Sequence, residues 1–268
     1  MATADSPKEQ GERQIIYYHD ELNDEFSPAV ITPKTIDGSY LYDRSKGIHR
    51  LLRIFWYAGV APIPAFLYRK LKFHHKIIGR EKLKKHQKDA IFLYGNHTQP
   101  IGDAVIPSFI RYPAYVIVHP NNVSMPYLGR VTPYMGALPL PDDMAATKNF
   151  VATIKQKVEK KRAIFIYPEA HIWPYYTGIR PFGADAFLYP IKYNTPVYAF
   201  TNTYQKRRHG DKPQLITYID GPFYPDEALP PRTRRERLRD QVYETMVERS
   251  KLSDCVVIEY RKAEEETL

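Results

Sequence analysis

The sequence predicts an α/β fold, and three observations predict it. Short runs rich in Ile, Val, Phe and Tyr recur along the chain, separated by stretches of helical spacing. Those runs are almost continuously apolar instead of alternating, as strands covered on both faces are. The chain has 268 residues of which 43% are hydrophobic, enough for one sizeable core and no reason to divide it in two.

In chain order, residues 1–45 form a polar N-terminal extension. Its first thirteen residues, Met1 to Arg13, carry Lys8, Glu9, Glu12 and Arg13 with no apolar stretch behind them, so they are not a secretory leader. Residues 46–80 form a basic and apolar segment suited to membrane association. Its centre, Ile54 to Tyr68, is 15 residues long, short of the ~20 of a spanning helix, and Pro62 and Pro64 interrupt it. A buried, re-entrant or interfacial position is expected instead. Arg44, Lys46, Arg50 and Arg53 precede it and Arg69, Lys70, Lys72 and Lys76 follow, a distribution that fits an anchor on anionic lipid or a core helix with solvated ends.

Residues 81–225 hold the α/β domain. Strands are expected at Lys76–Ile78, Ala90–Tyr94, Tyr115–Val118, Ala163–Tyr167, Val197–Thr201, Leu215–Ile219 and Val256–Tyr260. A helix is expected over 147–162, with Phe150, Val151, Ile154 and Val158 on one face, Thr147 as its cap and Lys160, Lys161 and Arg162 at its end. Residues 226–268 supply a basic helix and a final strand that completes the domain. The helix places Leu238, Val242 and Met246 every four residues and carries Arg232, Arg234, Arg235, Arg237 and Arg239 on a solvated face. The 23 prolines punctuate loops.

Composition excludes several functions. One cysteine, Cys255, allows neither an internal disulfide nor a cysteine zinc site, and fits a reducing compartment. The net charge of +9 calls for a partner, but no zinc-finger, RNP or helix-turn-helix signature points to nucleic acid. G-x-S-x-G, P-loop, G-x-G-x-x-G and H-E-x-x-H motifs are all missing from the sequence. His74 and His75 adjoin Lys70, Lys72 and Lys76 and belong with the basic flank, and no metal site is expected.

What remains is Gly95 to Asp103, GNHTQPIGD, where a histidine follows an apolar strand and an aspartate opens the next helix. A neutral imidazole oriented by a carboxylate is a competent general base near neutral pH. Downstream, Tyr167-Pro168-Glu169-Ala170-His171 again ends a strand, and ligands gather at strand carboxyl ends in open α/β sheets.

Asn96-His97…Asp103, Tyr134-Met135-Gly136-Ala137-Leu138-Pro139-Leu140, Tyr167-Pro168-Glu169 and Thr195-Pro196-Val197 resemble, in order and spacing, the four motif blocks of the 1-acylglycerol-3-phosphate acyltransferase family, the lysophospholipid acyltransferases. Arg180-Pro181-Phe182 to Phe187 looks like the stretch that follows the family's glutamate loop. The resemblance spans about half the chain and implies a mixed sheet flanked by helices, with an N-terminal apolar membrane-seating segment. It also implies acyl transfer from a thioester, on acyl-CoA or acyl carrier protein, to a hydroxyl of a lysolipid at the cytoplasmic face of the cell membrane, with no other cofactor. His97 would be the base, Asp103 its orienting partner, and backbone N–H groups after His97 or Glu169 the oxyanion donors. Asn96, Thr98, Gln99, Pro168, Glu169, Ala170 and His171 would form the substrate site.

Three departures stand out. Five residues separate His97 from Asp103 where the family has four. Asp142 and Asp143 stand where a phosphate-binding arginine is expected, and Ala170-His171-Ile172 replaces glycine, threonine and arginine. Arg130, Lys148 and Arg180 are the candidates to bind the acceptor phosphate in their stead, and Trp173, Tyr175 and Tyr176 would suit a sugar face, an acyl chain or packing. A noncatalytic lipid- or membrane-binding relative of the fold is the competing reading.

Overall fold

The computed structural model describes residues 14–27, 31–210 and 212–263. Met1 to Arg13 lie outside the described residues. Among the described residues the chain builds a seven-stranded mixed sheet with helices on both faces, and a separate two-stranded ribbon. The strands are β1 (Gln14–Tyr18), β2 (Lys76–Ile78), β3 (Ile91–Gly95), β4 (Ala114–Val118), β5 (Ala137–Pro139), β6 (Ala163–Ile166), β7 (Val197–Gln205), β8 (Gln214–Phe223) and β9 (Ile258–Lys262). The large sheet runs β2-β8-β7-β3-β6-β4-β5, with β7 and β8 antiparallel and every other neighbour parallel.

Burial on both sides explains the continuous apolar runs. Phe92, Tyr94, Ile164 and Ile166 face one way, onto Phe150 and Ile154 of one helix and Leu238, Val242 and Met246 of another. Ile91, Leu93, Ala163 and Phe165 face the other way, onto Ile106 and Ile110. The alternation of strand side chains makes both sets possible in the same four-residue runs.

The helices are α1 (Gly47–Arg53), α2 (Pro62–Leu67), α3 (Gly102–Ile110), α4 (Leu128–Val131), α5 (Met144–Glu159), α6 (Leu188–Tyr193) and α7 (Pro231–Ser250). α5 begins three residues before the expected cap: Asp143 is the N-cap, accepting the Ala146 N–H at 2.6 Å, while Thr147 turns its hydroxyl back to the Asp143 carbonyl. Asparagine, aspartate and serine outrank threonine at this position.

Three other expectations are corrected. The last strand, β9, pairs in parallel with β1 instead of joining the large sheet, so the N-terminal extension supplies its partner. That extension also contributes Ile36 and Tyr42 to the core. The prolines do not interrupt the apolar segment: α1 and α2 are joined and followed by π-helical turns at Ile54–Val60 and Tyr68–Lys72, giving one helix from Gly47 to Lys72. Wide turns absorb the missing proline N–H donors, as the Ala61 N–H bonding to the Trp56 carbonyl shows. This helix follows the N-terminal extension and does not begin the chain. It is long and apolar enough to cross a membrane by length and composition, and only 11% of its apolar window is buried, so it is not a core helix.

Candidate active site

β3 delivers Asn96 and His97 to the carboxyl end of the sheet, and α3 returns Asp103 to the same point. Two glycines permit this path. A Cβ on Gly95 would lie 2.2 Å from the Phe200 ring, and one on Gly102 would lie 2.8 Å from the Gln99 Cβ. The extra residue before Asp103 is taken up in a turn closed by the Asp103 N–H on the Gln99 carbonyl at 2.9 Å.

His97 Nδ1 bonds Asp103 Oδ2 at 2.7 Å, and the same oxygen accepts the Gln99 N–H at 2.9 Å. Asp103 is 4% exposed. Burial pushes its carboxyl up, against His97 and the Gln99 and Thr98 backbone, which favour the anion. Tyr167 stacks on the imidazole with ring centroids 4.9 Å apart and donates its hydroxyl to the Asp103 carbonyl at 2.8 Å. His97 keeps 24% of its side chain exposed, and among the described residues Nε2 makes no hydrogen bond. The carboxylate fixes Nδ1 as the protonated nitrogen and leaves Nε2 as a free base toward solvent.

The structure separates the expected substrate residues into four groups. Asn96, Thr98 and Gln99 are buried and committed internally: Asn96 bonds both backbone groups of Asn202, and Thr98 and Gln99 meet at the Tyr204 hydroxyl. Glu169 and Arg180 are also buried, with Glu169 Oε2 3.7 Å from the Arg180 guanidinium. Arg180 further donates to the carbonyls of Glu169, His171 and Glu21, so it is a structural cation and not a phosphate ligand. Pro168 is half-buried between Tyr167 and Glu169, Ala170 is exposed, and His171 pairs with Glu25 at 2.9 Å. Arg130 on α4 and Lys148 on α5 stand exposed, and none of the hydrogen bonds around His97 involves them.

Most of the expected oxyanion donors are engaged inside the two loops. The N–H of His97 bonds Glu169, that of Gln99 bonds Asp103, and those of Ala170, His171 and Trp173 bond the carbonyls of Tyr167, Glu169 and His97. Trp173 is fully buried, stacked on Tyr260 at 4.9 Å with Tyr18 and Phe26 around it, so it packs the β1–β9 ribbon against the site loop.

Two features escaped the sequence. The Asp142 and Asp143 that replace an arginine hold the N-terminal extension: Asp142 exchanges bonds with Ile36, its carboxylate accepting the N–H at 2.7 Å, and Asp143 accepts from Gly38 at 3.3 Å. His75 is not in the basic flank but buried, 2.7 Å from the Thr217 hydroxyl. Among the described residues no group of three or more His, Cys, Asp or Glu side chains is placed to hold a metal. Surface cavities of about 320 and 480 Å³ lie elsewhere, the larger lined by Arg80, Lys84 and Arg111.

No protein-family model matches the chain, and no curated protein matches it. Among solved structures it is similar to the 1-acyl-sn-glycerophosphate (LPA) acyltransferase PlsC from Thermotoga maritima, at 16% identity and a TM-score of 0.44, over 76% of this chain and 97% of that one.

Proposed function

We propose that the protein is an acyltransferase that moves a fatty acyl group from a thioester to a hydroxyl of a lysolipid, with His97 as general base. The observation that carries this reading is the 2.7 Å His97 Nδ1–Asp103 Oδ2 bond beneath an Nε2 left free. In the reaction, Nε2 takes the acceptor's O–H proton as its oxygen attacks the thioester carbonyl carbon. The tetrahedral intermediate collapses with loss of the C–S bond, and the imidazolium returns the proton to the departing thiolate. Asp103 holds the tautomer and stabilises the imidazolium without taking the proton itself. Acyl-CoA and acyl carrier protein both present the thioester that this chemistry needs.

The exposed helix Gly47–Lys72, with cations at both ends, supports a seat on an anionic membrane surface, which is where a lysolipid would be met. A peripheral or monotopic placement at the cytoplasmic face follows from that reading. The competing, noncatalytic lipid-binding role draws on one observation, the internal engagement of five backbone donors, those of His97, Gln99, Ala170, His171 and Trp173. Incubation with labelled acyl-CoA or acyl carrier protein and a panel of lysolipids decides between them. His97→Ala and Asp103→Asn should lower kcat by roughly 10³ with the fold retained. A wild-type protein that binds vesicles but turns over no thioester sinks the enzyme reading.

A further inference from the structure

Beneath the His97–Asp103 pair runs a line of buried polar side chains that the proposed chemistry does not use. Asp103 Oδ2 serves His97, and its other oxygen, Oδ1, lies 3.5 Å from Asn202 Nδ2. Asn202 on β7 sits directly opposite Thr217 on β8, and the Thr217 hydroxyl donates to Asn202 Oδ1 at 2.6 Å. His75 Nε2 lies 2.7 Å from that hydroxyl. Asn202, Thr217 and His75 are at most 3% exposed.

With Asp103 ionised, the proton direction follows at each link. The Asn202 amide must turn its nitrogen to Asp103, because its oxygen there would face a carboxylate. Asn202 Oδ1 is then an acceptor, so Thr217 spends its single proton on it and must accept from His75. His75 is therefore protonated on Nε2, which leaves Nδ1, buried and unpartnered, as the bare nitrogen. Burial, with Arg69 nearby, pushes His75 down to about 3, so this donor stays neutral across the physiological range.

We propose that His75, Thr217 and Asn202 are positioning residues, a directional chain of donors that holds Asp103 as an anion and sets the proton affinity of His97. The base-competent form of the pair carries one net negative charge and the protonated form none. Donors aimed at Asp103 therefore favour the base-competent form, and removing them favours protonation. Asn96 keeps the chain in register without belonging to it, because it bonds only the backbone of Asn202.

The other titratable or charged groups facing the pair are Tyr68, Tyr167, Tyr204 and Glu169, with Arg180 behind Glu169 and Arg69 behind His75. None of these side chains hydrogen-bonds Thr217 or Asn202.

The test is the titration of His97 by NMR in histidine-labelled full-length protein, in wild type, Thr217→Val, Thr217→Ser and Asn202→Leu. Thr217→Val should raise the His97 midpoint by about 0.5 pH unit and Asn202→Leu by about 1, while Thr217→Ser restores the wild-type value. The acid limb of kcat/KM should move by the same amounts, with KM little changed. Folded Thr217→Val and Asn202→Leu proteins whose His97 titrates as in wild type overturn the proposal. Only the rate effect rests on the acyltransferase reading. A chain that shows the NMR shift but transfers no acyl group refutes that reading and leaves the relay standing.

Discussion

Glu169 turns its carboxylate inward and accepts the backbone N–H of His97 at 3.1 Å through Oε2, while Oε1 accepts that of Arg180 at 3.1 Å. A residue expected to shape the substrate site thus joins the two site loops. Burial pushes the Glu169 carboxyl up, and Arg180 opposes this. Glu169→Gln would set an amide N–H against a backbone N–H and leave Arg180 buried without its counter-ion. The expected cost is about 3 kcal/mol in urea unfolding, with a fall in kcat as His97 is displaced. A rise in KM at unchanged stability would instead mean that Glu169 touches the acceptor.

Ala170 holds a left-handed backbone, φ 61°, where the resembled family has glycine. A side chain in that region costs about 1 kcal/mol relative to glycine. Ala170→Gly should therefore raise Tm by roughly 2–4 °C. An unchanged or lower Tm would show that the loop has relaxed around alanine.

Much of this arrangement was legible, and the misses have physical causes. The strands around His97 are continuous apolar runs buried on both faces, a pattern that leaves its mark in sequence. β5 has three residues and ends on Pro139, too short for any period to show. β1 and β9 are long enough, but nothing local says that the two ends of the chain pair with each other. The pairing of His97 with Asp103 follows from their closeness in sequence. Arg180 and His75 were misplaced because a cation or imidazole in a polar stretch looks solvated until its distant partners, Glu169 and Thr217, are brought to it. Asp142 looks like repulsion toward a phosphate until Ile36 is seen on it.

Asp220 on β8 ties two elements together, accepting from Lys82 at 2.8 Å and from Arg249 of α7 at 2.7 and 2.9 Å. Burial pushes its carboxyl up, but the hydrogen bonds and charges of Arg249 and Lys82 outweigh that and hold it below the usual range. A carboxylate depressed in the folded state contributes stability that is complete above its unfolded value and is lost as pH falls through the folded one. Asp220→Asn should cost about 2 kcal/mol at pH 7, discounted for partners that are 36% exposed, and the difference from wild type should shrink as pH falls below the usual carboxylate range. A gap that persists at low pH would assign the effect to packing.

The helix Gly47–Lys72 leaves Ile54, Phe55, Ile63, Phe66 and Leu71 between 49% and 70% exposed. Arg53 and Arg69 turn inward onto the rings of Tyr115 and Phe109, while Lys46, Arg50, Lys70 and Lys72 remain exposed at the two ends. An apolar face with cations on its flanks binds by burying side chains and by attraction to anionic headgroups, so both contributions should be separable. Flotation with vesicles containing phosphatidylglycerol should recover the protein, and ~0.5 M salt should weaken recovery as screening shortens the reach of the cations. Phe55→Asp and Phe66→Asp should each weaken binding about tenfold, since each ring is about half exposed and burying a full one is worth roughly 1.5–3 kcal/mol. Equal binding of wild type and the double variant would remove the helix from the membrane and leave its apolar face for a protein partner.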